Sequence, residues 1–573
     1  MVKIAVIADP HFHDITYRPG TDVASAIRTL ADTCGSTRIF NESYHALKAL
    51  LDDIVRRQIS IVIVNGDLSD DGQAATMSSA AALLRQYAAT HGLRFFATPG
   101  NHDLYAIHGR HQSKRFIDAD GGNTLVTSDP AAAIGRSTAR VVTAEMYCGG
   151  YERALRDMAE FGFFRGDEVR HWETPFGDSD DLEARTFEIR SADGETVRRM
   201  IDASYLVEPV EGLWLLSIDS NVFEPKPGDR DPTAEKSYID STDAGWNSML
   251  RNKPFIFDWM RDVARRAAEG GKRLLTFSHY PIIDPLNGST ELEAQLLGNT
   301  SFVRRSPAAD VALAAAATGI KIHFSGHLHI NDTALVRDGD DFLVNVAVPS
   351  MVGFPPAYKI ASFEGDRLEV ETVTIASVAG YDAAFDLYRV EAAATGEDFR
   401  DLLDASDHAD FLSRHLAEMV RRRYLPKEWP ADLARLVPEL TLADLWRIAG
   451  VSESLNAEDV RPGPKDEVHA WGAVPFMDLM VDWYRLRKGR EIAFDFIPAD
   501  RLEAYRVLAR RYAAGSWTAS SAQARLASFL SILESYLDSN PSRNFAVDLR
   551  TGRIEARPAT YLGRTDLRQM GVA

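Results

Sequence analysis

Five short segments of the chain place aspartate, histidine and asparagine side chains directly after predicted strands. The segments are Asp9-Pro10-His11, Gly66-Asp67-Leu68-Ser69-Asp70, Gly100-Asn101-His102-Asp103, Ser278-His279-Tyr280-Pro281 and Gly326-His327-Leu328-His329. Side chains at the ends of strands can converge on one crevice. Each segment alone is common by chance, and a lone histidine after a strand is more often a hydrogen-bonded structural residue. The five together predict a site that binds metal ions.

The composition decides which side chains can hold a metal. The chain has only two cysteines, Cys34 and Cys148, which lie far apart in the sequence. They offer neither a disulfide framework nor a CxxC pair. Any metal must therefore be held by histidine, aspartate and asparagine.

Strands and helices alternate around these segments. Residues 3–8 and 59–64 are apolar runs of strand length. A stripe of residues at helical spacing lies between them, at Tyr44, Leu47, Leu51 and Ile54. The same alternation returns from residue 213 onward, and antiparallel strands follow up to about residue 376. This order is typical of an α/β fold with helices on the faces of its sheets.

Two stretches depart from this alternation. Residues 104–212 are charged and rich in turns, so we expect an insertion or cap at the working edge of the sheet. From residue 376 the pattern becomes mainly helical, and Thr441-Leu442-Ala443-Asp444 resembles a helix-starting capping box. We predict a catalytic domain over residues 1–375 and a mainly α-helical C-terminal domain of unknown role over residues 376–573.

The motif order DxH, GDxxD, GNHD, H and GHxH resembles that of the calcineurin-like metallophosphoesterase superfamily, without a departure at any ligand position. The resemblance covers about residues 1–375. It implies an αββα sandwich of two sheets with the metals above the strand ends. The predicted fold class is therefore α/β, with an αββα two-sheet metallophosphoesterase core, an insertion and the C-terminal helices.

The resemblance also implies a role for each motif residue. One cation would be held by Asp9, His11 and His329, the other by Asn101, His279 and His327, and both would be bridged by Asp67. The implied cofactors are two divalent transition-metal ions, from among Mn, Fe, Zn, Co and Ni, since such ions accept mixed imidazole and carboxylate ligands.

Two further residues are implied to act on the substrate rather than on the metals. His102 would protonate the leaving oxygen or stabilise the transferring group. Asp70, three residues past Asp67, would orient and charge His102. The alternative for Asp70 is a turn residue that caps its loop.

The implied reaction is attack of a metal-bridging hydroxide on phosphorus. Asp70 stands where purple acid phosphatases have a tyrosine, and the chain lacks the GDxxDRG arginine of the Ser/Thr protein phosphatases. The pattern looks most like bacterial phosphodiesterases that hydrolyse cyclic nucleotides or glycerophosphodiesters, so we expect a small phosphodiester substrate, with monoesters as a further possibility. One alternative is a nuclease acting on single-stranded or short nucleic acid. Another is a metal-binding scaffold without turnover.

Charge and hydropathy limit the partners of the protein. Of its 573 residues, 64 are Lys or Arg and 83 are Asp or Glu, so the formal charge is -19, which disfavours long nucleic acids. The sequence has neither a signal-peptide pattern nor an apolar run of about 18 residues, so we expect a cytoplasmic protein without a membrane span. The C-terminal helices could mediate self-association.

Two groups of basic residues near the motifs have open roles. His13 shares a face with Asp9 and His11 in an extended chain, although a place beside or outside the cluster fits better. A second group follows the GNHD motif and consists of His108, Arg110, His111, Lys114 and Arg115. These residues could bind a substrate phosphate or form an exposed surface.

Overall fold

The computed structural model describes residues 2–19, 25–132, 139–462 and 471–558. Its strands are β1 (Lys3–Ile7), β2 (Ile61–Asn65), β3 (Arg94–Thr98), β4 (Ser113–Ile117), β5 (Asn123–Thr127), β6 (Ala139–Val142), β7 (His171–Glu173), β8 (Thr186–Arg190), β9 (Val197–Ile201), β10 (Tyr205–Val210), β11 (Leu213–Ile218), β12 (Glu224–Pro225), β13 (Tyr238–Ile239), β14 (Arg273–Ser278), β15 (Ile322–Ser325), β16 (Asp332–Asp338), β17 (Asp341–Ala347), β18 (Ala357–Glu364), β19 (Arg367–Thr374), β20 (Asn544–Asp548) and β21 (Ile554–Ala556).

The α-helices lie between these strands along the chain. They are α1 (Leu30–Cys34), α2 (Ser43–Arg56), α3 (Ala74–His91), α4 (Asn101–Leu104), α5 (Gly150–Asp157), α6 (Ser241–Asn252), α7 (Pro254–Glu269), α8 (Thr290–Leu297), α9 (Ser301–Arg305), α10 (Ala309–Ala316), α11 (Phe385–Thr395), α12 (Arg400–Leu403), α13 (His408–Met419), α14 (Leu425–Glu428), α15 (Ala431–Ala434), α16 (Leu442–Ile448), α17 (Phe476–Gly489), α18 (Ala499–Ala513) and α19 (Ala522–Leu537).

Two seven-stranded sheets form the core. The first has the order β21-β20-β19-β18-β1-β2-β3, and the second has the order β16-β17-β15-β14-β11-β10-β7. The strands β1, β2 and β3 run parallel to one another, as do β11, β14, β15 and β17 in the second sheet. The sheets meet where Tyr205 of the second sheet donates its hydroxyl hydrogen to the carbonyl oxygen of Ala97, 2.8 Å away in the first. The predicted two-sheet α/β core is confirmed.

The strands that precede the motifs are buried on both faces. β1 reads KIAVI and β2 reads IVIVN, and every residue of β2 is buried. Continuous apolar runs of this kind form where layers cover both faces of a sheet. One cover is α2, in which the predicted apolar residues Leu47, Leu51 and Ile54 are buried.

The segment 104–212 is only partly separate from the core. It contains the small sheet β4-β5-β6 and the hairpin β8-β9, but β7 and β10 join the second core sheet. β10 pairs with β11 across the turn at Gly212, which has a φ of +81°. The prediction of an insertion over the whole segment was therefore too broad. It missed β10 because that apolar run follows a long polar stretch.

The segment after residue 376 is mainly helical, and the predicted capping box of Thr441 and Asp444 begins α16. Two strands in this segment were not predicted from the sequence: β20 pairs antiparallel with β19, and β21 pairs antiparallel with β20. This pairing extends the first core sheet with residues far away in sequence. The domain division at residue 375 stays a prediction.

None of the helices in the described ranges is both long enough and apolar enough to span a membrane.

Glu42, at the start of α2, is 1% exposed and joins the core to α11. Its Oε1 accepts a hydrogen bond of 2.8 Å from the hydroxyl of Tyr388, and its Oε2 has no partner among the described residues. Burial raises the pKa of Glu42 from 4.5 to about 7. The folded state therefore binds this proton more tightly than the unfolded state, and the free energy of unfolding falls as the pH rises from about 4.5 through about 7.

Glu42→Gln should remove this fall in the free energy of unfolding at high pH, because glutamine is neutral at every pH. We expect the variant to gain about 1–3 kcal/mol over wild type at pH 8 and much less at pH 5, measured by urea unfolding. The exposed Glu439 provides the control, and Glu439→Gln should shift stability equally at both pH values. A Glu42→Gln gain that does not change with pH would contradict the prediction.

Candidate metal centre

The seven predicted ligands lie at the carboxyl ends of five strands in the two sheets. They are Asp9 and His11 after β1, Asp67 after β2, Asn101 after β3, His279 after β14, and His327 and His329 after β15. Because β1, β2 and β3 are parallel in one sheet and β14 and β15 are parallel in the other, their carboxyl ends meet at one edge of each sheet. The structure brings all seven residues together.

Two groups of side chains within this set could each hold a metal ion. Asp9, His11 and His329 form one group, and Asp67, His279 and His327 form the other. In the first, the Nε2 atoms of His11 and His329 are 3.0 Å apart. In the second, His279 Nε2 lies 3.2 Å from Asp67 Oδ2 and 3.1 Å from Asn101 Oδ1.

Asp67 lies between the two groups. Its Oδ2 is 3.6 Å from His11 Nε2 and 3.2 Å from His279 Nε2. One carboxylate oxygen thus approaches a nitrogen of each group, which is the position that a bridging ligand needs. The division of the ligands between two cations stays a prediction.

The polar atoms of the cluster are arranged better for binding metal ions than for hydrogen bonding to one another. The Nε2 atom of His327 is buried and has no hydrogen-bond partner among the described residues. A buried polar atom without a partner is rare in folded proteins and indicates a group bound there in the functional state. Burial also lowers the pKa of both His11 and His327 and so favours the neutral imidazole, which is the form that binds a metal.

The carboxylates of Asp9 and Asp67 place negative charge at the centre, and this charge requires a positive charge beside it. Burial alone would lower the pKa of His279, but the carboxylates of Asp67 and Asp9 outweigh it and raise the pKa to about 9. A protonated His279 would supply the positive charge that these carboxylates require. A divalent cation would supply it instead and would leave the imidazole free to bind.

The backbone at the centre is strained. Nine described residues other than glycine have a positive φ, and five of them are predicted ligands: Asp9, His11, Asp67, His327 and His329. Such conformations cost about 1–3 kcal/mol each and persist where the surroundings enforce them, commonly at functional sites. The sequence pattern gave no sign of this strain.

Two glycines allow the strand ends to approach each other. At Gly66, where φ is +82°, a Cβ atom would overlap the imidazole of His279. At Gly100 it would overlap the carboxylate of Asp67. Both glycines are therefore required by close packing beside ligands.

His102 lies at the edge of the cluster, with its ring centroid 4.8 Å from that of His11. Its Nδ1 is 2.7 Å from Asp71 Oδ1, so Asp71 is the carboxylate that orients this ring. The prediction that Asp70 orients His102 is wrong.

Asp70 is instead enclosed by three cations. It pairs with Arg28 at 2.8 Å, with Arg38 at 2.9 Å, and with Lys114. These cations turn its carboxylate away from His102, which leaves the next residue, Asp71, facing the ring. No pattern in the sequence placed Arg28, Arg38 or Lys114 beside this loop.

Most of the basic residues with open roles are paired or buried, whereas His108 is exposed. Lys114 binds Asp70 and Asp71, Arg110 binds Glu235, and Arg115 binds Asp32. His13 is buried, and its Nε2 lies 2.8 Å from the carbonyl oxygen of Ala26, so it makes no contact with the cluster.

Two tyrosines that were not predicted from the sequence pack against the histidines of the site. The ring of Tyr280 packs against His327 and His279, at centroid distances of 4.6 and 5.1 Å. Tyr105 stacks on His102, with the centroids 5.9 Å apart. Tyr105 also lines a cavity of about 490 Å³ together with Phe223 and Tyr238. This cavity thus borders the side of the centre where His102 lies.

Asp67→Asn should lower the metal content from two ions per chain to one or fewer, because an amide cannot supply the shared negative charge. Elemental analysis of the purified protein measures this content. The exposed Asp258, which pairs with Arg261, provides the control, and Asp258→Asn should keep both ions. Two tightly bound ions in Asp67→Asn would contradict a bridging role.

Comparison with known proteins supports the sequence resemblance. The model of the calcineurin-like phosphoesterase family matches residues 2–150, which include the first three motifs. His279, His327 and His329 lie beyond the matched residues, and it is the tertiary structure that joins them to the site. A comparison with curated proteins found no match.

Three solved structures show weak similarity. A dimetal phosphatase from Danio rerio matches at 13% identity and a TM-score of 0.28, over 65% of this chain and 98% of that chain. GAP50, described as the anchor in the inner membrane complex of Plasmodium, matches at 10% identity and a TM-score of 0.27, over 65% of this chain and 84% of that chain. The phosphopantetheinyl hydrolase of Mycobacterium tuberculosis matches at 13% identity and a TM-score of 0.22, over 61% of this chain and 89% of that chain.

The family match and the metal-binding geometry agree with each other. The match covers the segments that supply Asp9, His11, Asp67 and Asn101, and those residues meet the later histidines in one buried cluster. Residues 2–150 therefore match the calcineurin-like phosphoesterase family, and the cluster that they form with the later histidines supports a metal-dependent phosphoesterase.

Proposed function

We propose that the protein hydrolyses small phosphodiesters, with monoesters as slower substrates. The observation that carries this proposal is the cavity of about 490 Å³ lined by Tyr105, the residue that stacks on His102. A diester has a second organic group that must fit beyond the reacting phosphate, and cavities of this size accommodate small organic ligands. Because Tyr105 joins this cavity to His102, we expect the second organic group to extend from the metal centre into it.

The donor set suits two borderline transition-metal ions, such as Mn, Fe, Zn, Co or Ni, because it mixes imidazole, carboxylate and amide oxygen ligands. When bound, such ions acidify a shared water and stabilise the charge of the transferring phosphoryl group. The chain contributes two carboxylates, Asp9 and Asp67, which leave the loaded centre positively charged and attractive to an anionic phosphate.

His102 is positioned to act on the leaving group. Its Nδ1 is held by Asp71 at 2.7 Å, so its other ring nitrogen can present a proton to the oxygen that departs from phosphorus. The proton passes from His102 to this oxygen as the bond to phosphorus breaks. The products are an alcohol and a phosphomonoester.

Two alternatives remain from the sequence analysis. A nuclease acting on single-stranded or short nucleic acid would use the same centre, but the charge of -19 disfavours a polyanion, and the basic residues nearest His102 are already paired. A scaffold without turnover has little support, because all seven ligand positions converge.

A substrate panel tests the proposal. The protein, reconstituted with Mn²⁺, Fe²⁺, Co²⁺, Ni²⁺ or Zn²⁺, would be assayed on cyclic nucleotides, glycerophosphodiesters, aryl diesters, monoesters and single-stranded DNA. We expect the highest kcat/KM on a small diester. Higher kcat/KM on monoesters or on DNA would overturn the diester proposal, and no hydrolysis with any metal would overturn the assignment as an enzyme.

His102→Ala should separate acid catalysis from metal binding. We expect kcat on an alkyl diester to fall roughly 10²- to 10⁴-fold while two metal ions stay bound. The loss should be much smaller on a nitrophenyl diester, whose leaving group needs no proton. Equal losses on both substrates would argue against the acid role.

Asp71→Asn should show the same dependence on the leaving group with a smaller loss, because asparagine can still contact His102 but cannot stabilise its protonated form. Steady-state kinetics on the two diesters measures this, with an expected loss in kcat of about 10-fold or more on the alkyl diester. Asp32→Asn, at an exposed pair with Arg115, is the control and should keep wild-type rates. Unchanged kinetics in Asp71→Asn would show that Asp71 has no role in orienting His102.

A further inference from the structure

The end of α17, in the C-terminal helical region, lies against the loop that carries two of the predicted metal ligands. Lys488 Nζ donates a hydrogen bond of 2.7 Å to the carbonyl oxygen of Leu328, the residue between His327 and His329. In return, the backbone N–H of Asn331 donates to the carbonyl oxygen of Lys488 at 2.8 Å. The two contacts join α17 to both ends of the short segment that includes His329.

Asn331 extends this connection with its side chain. Its Nδ2 donates to the carbonyl oxygen of Gly489 at 3.0 Å and to Ser542 Oγ at 3.1 Å. Its Oδ1 accepts from Lys359 Nζ on β18 at 2.5 Å. Asn331 is fully buried, so all of these bonds are shielded from water.

Arg490 completes the contact. Its Nε donates to Asp332 Oδ1 at 2.9 Å, and both side chains are buried. Another of its nitrogens donates to the carbonyl oxygen of Pro285 at 2.6 Å. Lys488, Gly489 and Arg490 thus bind residues 328–332 through three consecutive positions, and we name these three residues the α17 turn.

The ligand loop needs such support. Both His327 and His329 have a positive φ, which isolated chain segments avoid. A metal-binding histidine is usually oriented by a hydrogen bond at its second ring nitrogen. His329 Nδ1 is buried and has no hydrogen-bond partner among the described residues. The orientation of this imidazole therefore depends on its contacts with Asp9 and His11 and on the position of its backbone.

We propose that the α17 turn is a positioning element of the metal centre, which holds the backbone of residues 327–332 so that His327 and His329 face the metal ions. This role rests on the proposed metal binding by these histidines. It assigns a function to the C-terminal helical region, which is to complete the geometry of a centre whose ligands all come from the core. Lys488 acts through the loop and is not itself a ligand.

The test is a titration of the metal-free, full-length protein with Co²⁺, followed by the visible absorption spectrum that reports ligand geometry. Lys488→Met keeps the length of the side chain and removes the bond to Leu328. Ser542→Ala is a milder change that removes one bond to Asn331. Arg485→Met, on the same helix, is the control, because Arg485 pairs with Asp482 and Ser413 and does not contact the loop.

Wild type should bind two Co²⁺ ions. In Lys488→Met the affinity for at least one ion should fall 10- to 100-fold, the usual effect of losing a group that supports a metal ligand, with a changed spectrum. Ser542→Ala should weaken it about two- to tenfold. Arg485→Met should retain the wild-type affinity and spectrum even if its unfolding temperature falls.

The proposal is overturned if Lys488→Met and Ser542→Ala both bind two Co²⁺ ions with the wild-type affinity and spectrum. It is also overturned if Arg485→Met weakens binding as much as they do, since the effect would then be one of general stability. Should Lys488→Met fail to fold, Ser542→Ala decides by the same criteria. Failure of wild type to bind two ions would instead refute the metal centre itself, so the two failures are distinguishable.

Discussion

The centre of this protein depends on one electrostatic constraint. Two carboxylates and four imidazoles are buried within a few ångströms of each other. Buried groups of this kind are stable together only when positive charge lies between them. Neither sheet could satisfy the constraint alone. The first sheet supplies Asp9, His11, Asp67 and Asn101, and the second supplies the three later histidines, so the two sheets must meet at their carboxyl ends.

A second group of buried charges surrounds the first. Asp70 and Asp71 follow the bridging position and would repel each other and Asp67 if they were unpaired. Arg28, Arg38 and Lys114 neutralise them, and Lys114 comes from β4 in the partly inserted segment. That segment therefore contributes to the charge balance of the core. The arrangement also explains why His102 is held by Asp71, the carboxylate left facing the ring.

The C-terminal region is bound to the core at several places. Strand β20 extends the first sheet, and the α17 turn binds the ligand loop. On another side, Nε2 of His415 on α13 lies 2.9 Å from the carbonyl oxygen of Thr33. Buried polar contacts of this kind fix the relative positions of elements more specifically than apolar packing does. The helices after residue 376 are therefore held in fixed positions against the two core sheets.

The sequence by itself determined the strands before each motif, the seven convergent ligand types and the α/β class, because these depend on apolar runs and on residue types at strand ends. Only the tertiary structure decided that Asp71 rather than Asp70 contacts His102, that β10 and β20 join the core sheets, and that the α17 turn contacts the loop of His327 and His329. Each of these depends on residues distant in the chain, such as Lys114 and Lys488. Local pattern carries no information about such contacts, because a buried charge selects its partner only after packing has brought the segments together.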